Sequence, residues 1–337
     1  MKLHYSTYRL ELKHRFTIAR GSEDAVDVVL VYFTKDGVTG VGEAAPSGRY
    51  NEDALTIVKH LNSISFNEVS SKDSLDYWLD DVLPKANGMR SLETAFDLAL
   101  HDLYGKLNST ATTDHFDSDP QKACMTSFTI GIDDREKIKE KVLEAKEYPL
   151  LKVKLGSDHD KEIINALRDV TDKLIRVDAN EGWDLEEGKR MCDWLAERNV
   201  EFVEQPLPAD NLDDTAKLRE HSPLELVADE NCIDSEDIPF ISDAFDVINI
   251  KLMKCGGLRE AFKMIQMARE RKMKIMLGCM IETSVAITAA AILSPLVDYA
   301  DLDGNILTSN DPFDGVKVKD GMLVLPEGPG LGVMLKE

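Results

Sequence analysis

The sequence predicts an α/β protein in which a (β/α)7β barrel of the TIM type follows a smaller α+β unit. From residue 126 onward, apolar runs that end in an acid or a lysine alternate with amphipathic helical patterns, as expected for parallel strands joined by helices. Three acids, Asp178, Glu204 and Asp229, end such runs about every 25 residues. Because that spacing holds one strand and one helix, their side chains are expected at the mouth of one barrel.

The first part of the chain has a different pattern. Residues 1–50 alternate in the manner of β-strands, and a hairpin is predicted with its turn at Asp36 and Gly37. Residues 52–64 and 91–107 carry apolar residues at helical spacing. Strands followed by helices indicate a separate α+β unit.

Three regions follow from these patterns. At 337 residues the chain exceeds the usual length of one domain. We expect the α+β unit in residues 1–120, the barrel with the functional residues in 121–310, and a tail in 311–337 that returns to cover the first unit. The polar segment 108–121 is predicted to be a linker or a surface loop.

The barrel prediction depends on eight candidate strands. They are separated by helical patterns such as DREKIKEKVLEAKE and LREAFKMIQMARERK, so the sheet should be parallel. Eight such strands close into a barrel. The candidate strands are SFTIGI, LLKVKL, LIRVDA, FVEQPL, LELVADE, VINIKL, KIMLGCM and YADLDG.

Composition excludes several classes of partner. The formal charge of −22 argues against nucleic acid or an anionic membrane, because both select clustered Lys and Arg. The amino terminus lacks an apolar signal core, and the longest apolar stretch, residues 285–297, is too short to span a bilayer. Five scattered cysteines without CxxC spacing favour a reducing compartment, and we expect a cytoplasmic protein.

The three acids point to a metal site. Hard divalent cations prefer oxygen ligands, and Mg²⁺ keeps room for water or substrate oxygens beside protein carboxylates. Apart from Cys279, no His or Cys stands at an equivalent strand end, so Zn²⁺ is disfavoured. A lone acid at a strand end is usually a helix cap or a solvated loop residue. Asp178, Glu204 and Asp229 in register, with lysines around them, favour magnesium.

Lysines stand in the same register. Lys152 and Lys154 point to one face of their strand because side chains alternate, and their apolar neighbours argue against the alternative of an exposed strand. Lys251 lies four strands further on, across the barrel. Lys254 would face the other way if the strand continued, so we choose Lys251, which follows the apolar VINI run.

This arrangement predicts proton transfer. A lysine can act as a base when its pKa falls below the ordinary value near 10.4, and desolvation, a second ammonium and a divalent cation all push it down. Two lysines on opposite walls fit removal of a proton on one face and delivery on the other. The substrate would be a carbon acid next to a carboxylate, with a metal that stabilises the enediolate.

These residues resemble the enolase superfamily, in its muconate-lactonizing-enzyme subgroup, along nearly the whole chain. The motifs are GVGEAAP, KVKLG, RVDANEGW, VEQPL, ADE, NIKLMKCGG, GCMIETS and PGLG. The resemblance implies a (β/α)7β barrel with an N-terminal α+β capping domain completed by the C-terminal tail. It also implies roles for eight residues: Mg²⁺ ligands Asp178, Glu204 and Asp229, acid/base catalysts Lys154 and Lys251, Lys152 beside the substrate carboxylate, and Asn180 and Glu230 behind the metal ligands.

Asp301 and Asp303 discriminate among subgroup members. Both would face one side of the last strand and could hold a cation; the alternative is a helix cap or a loop pair. In dipeptide epimerases a matching Asp-x-Asp binds the free α-ammonium of the dipeptide, so the resemblance implies Ala-X dipeptides inverted at the second residue. Thr129, Cys279 and Met280 fall where that family contacts the dipeptide.

The second residue of the dipeptide depends on the capping loops. Arg20 matches the position where Ala-Glu epimerases place an arginine for the Glu side chain. The alternative interpretation is that Arg20 is a surface residue that pairs with Glu23 or Asp24. Arg49, followed by Tyr50 on the second capping loop, is a similar candidate.

The sequence therefore favours an isomerase. The first candidate is an L-Ala-D/L-Glu epimerase, and the second is an epimerase of other Ala-X dipeptides, including those with hydrophobic X. An N-acylamino acid racemase or o-succinylbenzoate synthase shares the scaffold, but its substrate has no free ammonium. A cycloisomerase of a dicarboxylate would be repelled by the extra aspartates. A non-catalytic ligand-binding barrel is the remote alternative, since burying unused charges costs on the order of several kcal/mol. The expected partner is a dipeptide, without nucleic acid or membrane, and a homo-oligomer is left open.

Overall fold

A computed structural model describes residues 1–64, 66 and 74–337 of the chain. The N-terminal unit begins with an antiparallel sheet in the order β1 (Lys2–Ile18), β2 (Gly21–Lys35), β3 (Val38–Ala44). The predicted hairpin is confirmed: Lys35 pairs with Val38 across a turn. Asp36 (φ 52°) and Gly37 (φ 81°) both have positive φ, the conformation that a two-residue hairpin turn requires.

Three helices pack on this sheet: α1 (Ala54–Leu61), α2 (Leu75–Val82) and α3 (Arg90–Asn108). The sequence patterns predicted the first and third, and α2 is additional. A Cβ at Gly42 would lie 2.0 Å from the carbonyl oxygen of Ala95, so α3 lies directly against β3. Val29, Val31 and Phe33 of the sheet are buried with Phe96 of α3 in the core of this unit.

The second region confirms the (β/α)7β barrel. Eight parallel strands follow one another in sequence order, and helices join them on the outside. None of the helices in the described ranges is long and apolar enough to cross a bilayer. The strands are β4 (Phe128–Ile130), β5 (Leu150–Lys154), β6 (Leu174–Asp178), β7 (Val200–Glu204), β8 (Glu225–Ala228), β9 (Val247–Lys251), β10 (Lys274–Gly278) and β11 (Tyr299–Ala300). The helices are α5 (Arg135–Glu144), α6 (Asp160–Arg168), α7 (Leu185–Ala196), α8 (Leu212–His221), α9 (Ile238–Ile241), α10 (Leu252–Cys255), α11 (Leu258–Glu270) and α12 (Ser284–Ile292).

The barrel closes where its last and first strands meet. The Ser127 amide donates to the Ala300 carbonyl at 3.3 Å, and the Leu302 amide donates to the Thr126 hydroxyl at 2.8 Å. From inside the barrel, the Arg176 guanidinium on β6 donates to the same Ala300 carbonyl at 2.8 Å. The seam is short because β11 has only two residues, so these side-chain bonds supplement the ladder.

The segment 108–121 is only in part a surface linker. Residues Thr112–His115 form one helical turn, α4, and Thr112, Phe116 and Ser118 are buried. The Ser118 hydroxyl donates to the Ile292 carbonyl at 2.5 Å, which ties the connection to the end of α12. Its polar composition reflects hydrogen bonds to the barrel as well as exposure to water.

The tail contacts both regions. The Leu331 amide donates to the buried Asp102 carboxylate of α3 at 2.9 Å, and the Gly330 amide donates to the Thr110 carbonyl at 2.9 Å. The tail also contains two short antiparallel strand pairings. Their strands are β12 (Phe313–Asp314), β13 (Lys317–Lys319), β14 (Met322–Val324) and β15 (Met334–Leu335). Strand β12 pairs with β15, and β13 pairs with β14. Met322 of β14 bridges to Met125, just before β4.

Candidate active site

A cavity of about 690 Å³ lies between the barrel mouth and the loops of the N-terminal unit. The carboxyl ends of the parallel strands form its floor, which is the usual place for chemistry in such barrels. Asp178 and Glu204 lie just beneath that floor and are fully buried. The other sequence-predicted site residues line the cavity: Arg20, Arg49, Tyr50, Thr129, Lys152, Lys154, Asn180, Asp229, Glu230, Lys251, Cys279, Met280, Asp301 and Asp303.

The three acids at successive strand ends converge. Asp178 and Glu204 are the last residues of β6 and β7, where they pair in register, and Asp229 follows β8 directly. One carboxylate oxygen of each lies within 4.8 Å of the others. Glu204 Oε2 is buried, lies 2.6 Å from the Lys152 ammonium and accepts no hydrogen bond from the described residues. A cluster of oxygen donors with one left unsatisfied fits a hard divalent cation.

Lys152 lies in the middle of the acids. Its Nζ is 2.7 Å from Asp301 Oδ2, 2.6 Å from Glu204 Oε2 and 3.2 Å from Asp178 Oδ2. Only 1% of Lys152 is exposed. Three carboxylates around one ammonium compensate for the loss of its hydration, which would otherwise be strongly unfavourable.

Two further lysines face each other across the cavity. Lys154 Nζ donates to Asp178 Oδ2 at 2.6 Å, and Lys251 Nζ donates to Asp229 Oδ2 at 2.8 Å. Lys154 ends β5 and Lys251 ends β9, four strands further around an eight-strand barrel. They therefore stand on opposite walls.

Burial and charge act in opposite directions on the pKa values of this cluster. Burial would raise the pKa of Asp178, yet the ammonium groups of Lys154 and Lys152 lower it to about 2. Burial and the charge of Asp178 raise the pKa of Glu204 to about 7. Burial would lower the pKa of Lys251, yet Asp229 and Glu204 raise it. From the sequence we expected a lysine pKa below the ordinary value. The pKa of Lys251 is raised instead, because its ammonium lies close to the negative charges of the acids.

Lys254 does not face away from the cluster, so the argument that excluded it is wrong. Strand β9 ends at Lys251, and Leu252–Cys255 form one helical turn that brings Lys254 back beneath the floor. Its buried ammonium donates to Asp229 Oδ1 at 2.6 Å and to the Asn249 carbonyl at 3.1 Å. Asp229 is thus bound by two lysines, of which Lys251 lines the cavity.

Asp301 and Asp303 lie on a loop and not on a strand face, because β11 ends at the residue before Asp301. Asp301 accepts hydrogen bonds from the Ser127 hydroxyl at 2.5 Å and the Lys152 ammonium at 2.7 Å. Asp303 accepts one from the Thr129 amide at 2.6 Å. In the described part of the chain no lysine or arginine pairs with Asp303, and burial together with the charge of Asp301 raises its pKa to about 7. Asp303 is therefore the aspartate that lacks a cation.

Cys279 and Met280 follow β10 beside the two aspartates. The Cys279 thiol donates to the Asp301 carbonyl at 3.3 Å, and burial raises its pKa well above the ordinary value. The Met280 amide donates to Glu282 at 2.8 Å. Glu282 is a buried acid that the sequence analysis did not single out, and burial raises its pKa to about 8. The GCMIETS motif contained it, but the motif alone gives no indication of its burial.

Two arginines from the N-terminal unit lie at the rim of the cavity. Arg20, in the turn between β1 and β2, places Nη1 2.7 Å from Glu230 Oε1 and donates to Glu181 and to the Asn180 carbonyl, both at 3.2 Å. Its partners are therefore barrel acids and not the neighbouring acids of its own turn. Arg49 donates to both oxygens of Glu181, from Nε at 3.1 Å and from Nη2 at 3.0 Å.

Asn180 and Glu230 flank the acids. The Asn180 amide donates to Asp178 Oδ1 at 2.9 Å, and its side-chain Oδ1 is buried without a hydrogen bond. Burial and the adjacent Asp229 raise the pKa of Glu230. Glu181, which holds both arginines, was missed. It lies in the RVDANEGW motif, but its partners are too distant in sequence for any local pattern to indicate them.

Two family models match the chain. The model described as Enolase C-terminal domain-like matches residues 134–337. The model described as Mandelate racemase / muconate lactonizing enzyme, N-terminal domain, matches residues 5–114. The two matches follow the division between the barrel with its tail and the N-terminal unit.

Characterised relatives match over nearly the full length. The chain is 42% identical over 339 residues to the L-Ala-D/L-Glu epimerase of Bacteroides thetaiotaomicron, covering 99% of this chain and 88% of that protein. It is 38% identical over 356 residues to the L-Ala-D/L-amino acid epimerase of Pedosphaera parvula, covering 100% of both. Among solved structures, the dipeptide epimerase of Cytophaga hutchinsonii complexed with Mg and the dipeptide D-Ala-L-Val aligns with a TM-score of 0.91 and 25% identity, covering 99% of this chain and 95% of that one.

Proposed function

The chain belongs to the mandelate racemase / muconate lactonizing enzyme family of the enolase superfamily, and we propose that it is a magnesium-dependent dipeptide epimerase. One observation carries this proposal. Lys154 and Lys251 face each other across a cavity that also contains Asp303, which has no cationic partner in the described part of the chain. The reaction inverts the α-carbon of the second residue of the dipeptide.

The lysines move the proton. Neutral Lys154 removes the α-proton on one face, so the C–H bond breaks, an N–H bond forms and the electron pair enters the enediolate. Protonated Lys251 then gives a proton to the opposite face, and the roles exchange for the other stereoisomer. Asp178, Glu204 and Asp229 would hold Mg²⁺, which would supply charge stabilisation for the substrate carboxylate. Lys152 adds a fixed ammonium on the same side.

The aspartates select a free amine. Asp301 already binds Lys152, whereas Asp303 is a buried carboxyl with room for a cation beside it. A dipeptide α-ammonium supplies that cation and removes the unfavourable burial of an unpaired charge. N-acylamino acids and o-succinylbenzoate carry no such group, which argues against both same-scaffold alternatives. Thr129, Cys279 and Met280 form the wall around this end of the substrate.

The second residue of the dipeptide is proposed to be glutamate. Arg20 and Arg49 at the rim favour an acidic side chain, and an L-Ala-D/L-Glu epimerase is among the relatives. Other Ala-X dipeptides, including hydrophobic ones, are the alternative, because an L-Ala-D/L-amino acid epimerase is also among them.

Hydrogen exchange tests the function directly. We expect L-Ala-L-Glu incubated with the enzyme and Mg²⁺ in D₂O to lose the α-proton signal of the second residue and to form the L,D epimer. N-acetyl-L-Ala-L-Glu, which lacks the ammonium, is the matched control and should exchange far more slowly. The absence of exchange across a panel of Ala-X dipeptides would refute the proposal.

We further propose that the enzyme works in the cytoplasm. All five cysteines are free, and three of them, Cys192, Cys232 and Cys255, are buried. Burial raises the pKa of the Cys232 and Cys255 thiols to about 12, so they are unreactive. Buried thiols without disulfides fit a reducing compartment.

A further inference from the structure

The single carboxylate of Glu181 joins two segments of the N-terminal unit to the barrel. Arg20 comes from the turn between β1 and β2, Arg49 from a helical turn after β3, and Glu181 from the loop after β6. Arg49 binds Glu181 through two hydrogen bonds of 3.1 and 3.0 Å, and Arg20 adds a third of 3.2 Å. The Ala209 amide donates a fourth at 2.9 Å. Among the described residues, this carboxylate is the group to which both guanidinium groups donate hydrogen bonds.

Glu181 is itself held rigidly by the barrel. Asn180 and Glu181 both have positive φ, 44° and 69°, a backbone conformation that residues other than glycine rarely adopt. The Glu181 amide donates to the Gln205 carbonyl at 2.8 Å, and the Asn180 amide donates to Asp178. The position of the carboxylate is therefore set by the same strand ends that carry the acid cluster.

The guanidinium groups lie between Glu181 and the cavity. Arg20 and Arg49 line the cavity, whereas Glu181 does not. Within the described residues, Arg20 Nε and Nη2 and Arg49 Nη1 donate no hydrogen bond to protein, so these donors remain available to a ligand. Without Glu181 the two like charges would repel each other, and both side chains are already more than one-third exposed on the solvent side.

We propose that Glu181 is a positioning residue that holds Arg20 and Arg49 side by side and thereby sets the preference for an acidic second residue. This inference rests on the proposed epimerase function. Two guanidinium groups fixed at one edge of the cavity match the carboxylate of a glutamyl or aspartyl side chain. Arg20 has a second anchor in Glu230, whereas among the described residues the Arg49 guanidinium donates hydrogen bonds to Glu181 only. Arg49 should therefore be the more mobile of the two when Glu181 changes.

Glu181→Gln tests the proposal because glutamine keeps the shape and can still accept from the Ala209 amide. We expect KM for L-Ala-L-Glu to rise about tenfold, as for loss of a charge-assisted contact, with little change in kcat. Kinetics with L-Ala-L-Leu should stay the same, since that side chain has no carboxylate. Arg49→Gln should give the same selective loss, and the double variant should lose little more than either single variant.

Trypsin supplies a readout that does not depend on catalysis. Cleavage after Arg49 should be faster in Glu181→Gln than in the parent protein, because the side chain is released to solvent. Glu186→Gln is the matched control, since this exposed acid on α7 forms its ion pair with Lys189 and contacts neither arginine. It should change neither proteolysis nor KM.

The outcomes separate the two proposals. If the parent enzyme exchanges no dipeptide at all, the epimerase function fails. If it exchanges L-Ala-L-Glu but Glu181→Gln leaves KM and trypsin cleavage unchanged, the positioning role of Glu181 is overturned. Equal losses with L-Ala-L-Glu and L-Ala-L-Leu would also overturn it, because they would indicate a general structural defect. If Glu181→Gln does not fold, the kinetics of Arg49→Gln with L-Ala-L-Glu and L-Ala-L-Leu decide whether the arginine that Glu181 holds sets the preference for an acidic residue.

Discussion

The floor and the rim of the cavity are built from the same kinds of ion pairs but in different surroundings. On the floor, acids and lysines at strand ends are buried, and each carboxylate of the metal cluster lies against at least one ammonium. At the rim, Arg20 lies in a turn and Arg49 in a short helical turn, and both are partly exposed and meet at one carboxylate. Charge interactions are strong when water is excluded and weak when it is not. Changes on the floor should therefore alter the reaction itself, and changes at the rim should alter only which substrate is preferred.

The largest effect is expected from the floor lysines. Lys154→Ala and Lys251→Ala should each reduce epimerisation by about a thousandfold or more, since each removes an acid/base group. Each variant should still exchange the α-proton of the one stereoisomer that faces the remaining lysine. NMR in D₂O with both epimers measures this. Lys146→Ala, an exposed lysine before β5, is the control, and full turnover in either active-site variant would contradict the two-base assignment.

Metal binding should show that the floor is arranged for function at the expense of stability. We expect Mg²⁺ to raise the melting temperature of the protein by several degrees, because a ligand that binds only the folded state stabilises it. Glu204→Gln should lose that increase without lowering the metal-free melting temperature, since it removes a carboxylate whose burial is unfavourable. Differential scanning fluorimetry with and without Mg²⁺ and chelator measures both quantities. If Mg²⁺ raised the melting temperature of Glu204→Gln as much as that of the parent protein, Glu204 would not be a metal ligand.

Asp303 stands between floor and rim, and its replacement should act on binding more than on chemistry. Asp303→Asn should raise KM for L-Ala-L-Glu about tenfold or more, because the substrate ammonium loses a buried ionic partner. The value of kcat should fall less. Steady-state kinetics provide the comparison, and an unchanged KM would eliminate this aspartate as the ammonium site.

The same aspartate predicts a pH dependence. Because the pKa of Asp303 is raised to about 7, the carboxyl is mostly neutral below that pH and mostly ionised above it. The substrate ammonium binds the ionised carboxylate better than the neutral carboxyl. KM should therefore fall as pH rises through about 7, and it should be roughly tenfold higher at pH 6 than well above pH 7. Measured with saturating Mg²⁺, this slope should be absent in Asp303→Asn. A slope that persists in the variant would have to arise from another group.

The smallest effect concerns stability at the rim. Arg49→Gln should change the free energy of unfolding by less than about 1 kcal/mol, since partly exposed ion pairs contribute little. Urea denaturation gives this value. A much larger loss would mean that the rim is as important for folding as the floor, and the distinction between the two would not hold.

The success of the sequence-based predictions also differs between the floor and the rim of the cavity. The barrel and the convergence of Asp178, Glu204 and Asp229 were predictable, because a strand and helix repeat places equivalent positions at one edge of the sheet. The same logic failed for Lys254 and for Asp301. In both cases the strand ended sooner than the apolar pattern implied, and a short turn or loop redirected the side chains. Local patterns do not show where a strand stops within one or two residues.

The rim could be predicted only in part. Arg20 and Arg49 were found through resemblance to a family, but the residue that holds them was not. Glu181 lies 161 residues from Arg20 and 132 from Arg49, and nothing in its own neighbourhood distinguishes it from a solvated acid. Contacts between loops of different regions arise from the packed fold, so they become visible only once that fold is known. The roles of the individual site residues stay predictions that the experiments above would decide.

The bond between Asp102 and Leu331 has a consequence for the order of synthesis. Asp102 is buried in α3, and its two oxygens accept the Val41 and Leu331 amides, each at 2.9 Å. The first donor is made early in translation, whereas the second follows Asp102 by 229 residues. Until that residue is synthesised, Asp102 Oδ2 has the Val41 amide and the Lys106 ammonium as donors, whereas Oδ1 lacks the donor that the tail supplies. The N-terminal unit thus obtains one hydrogen bond to its buried carboxylate from a residue close to the carboxyl end of the chain.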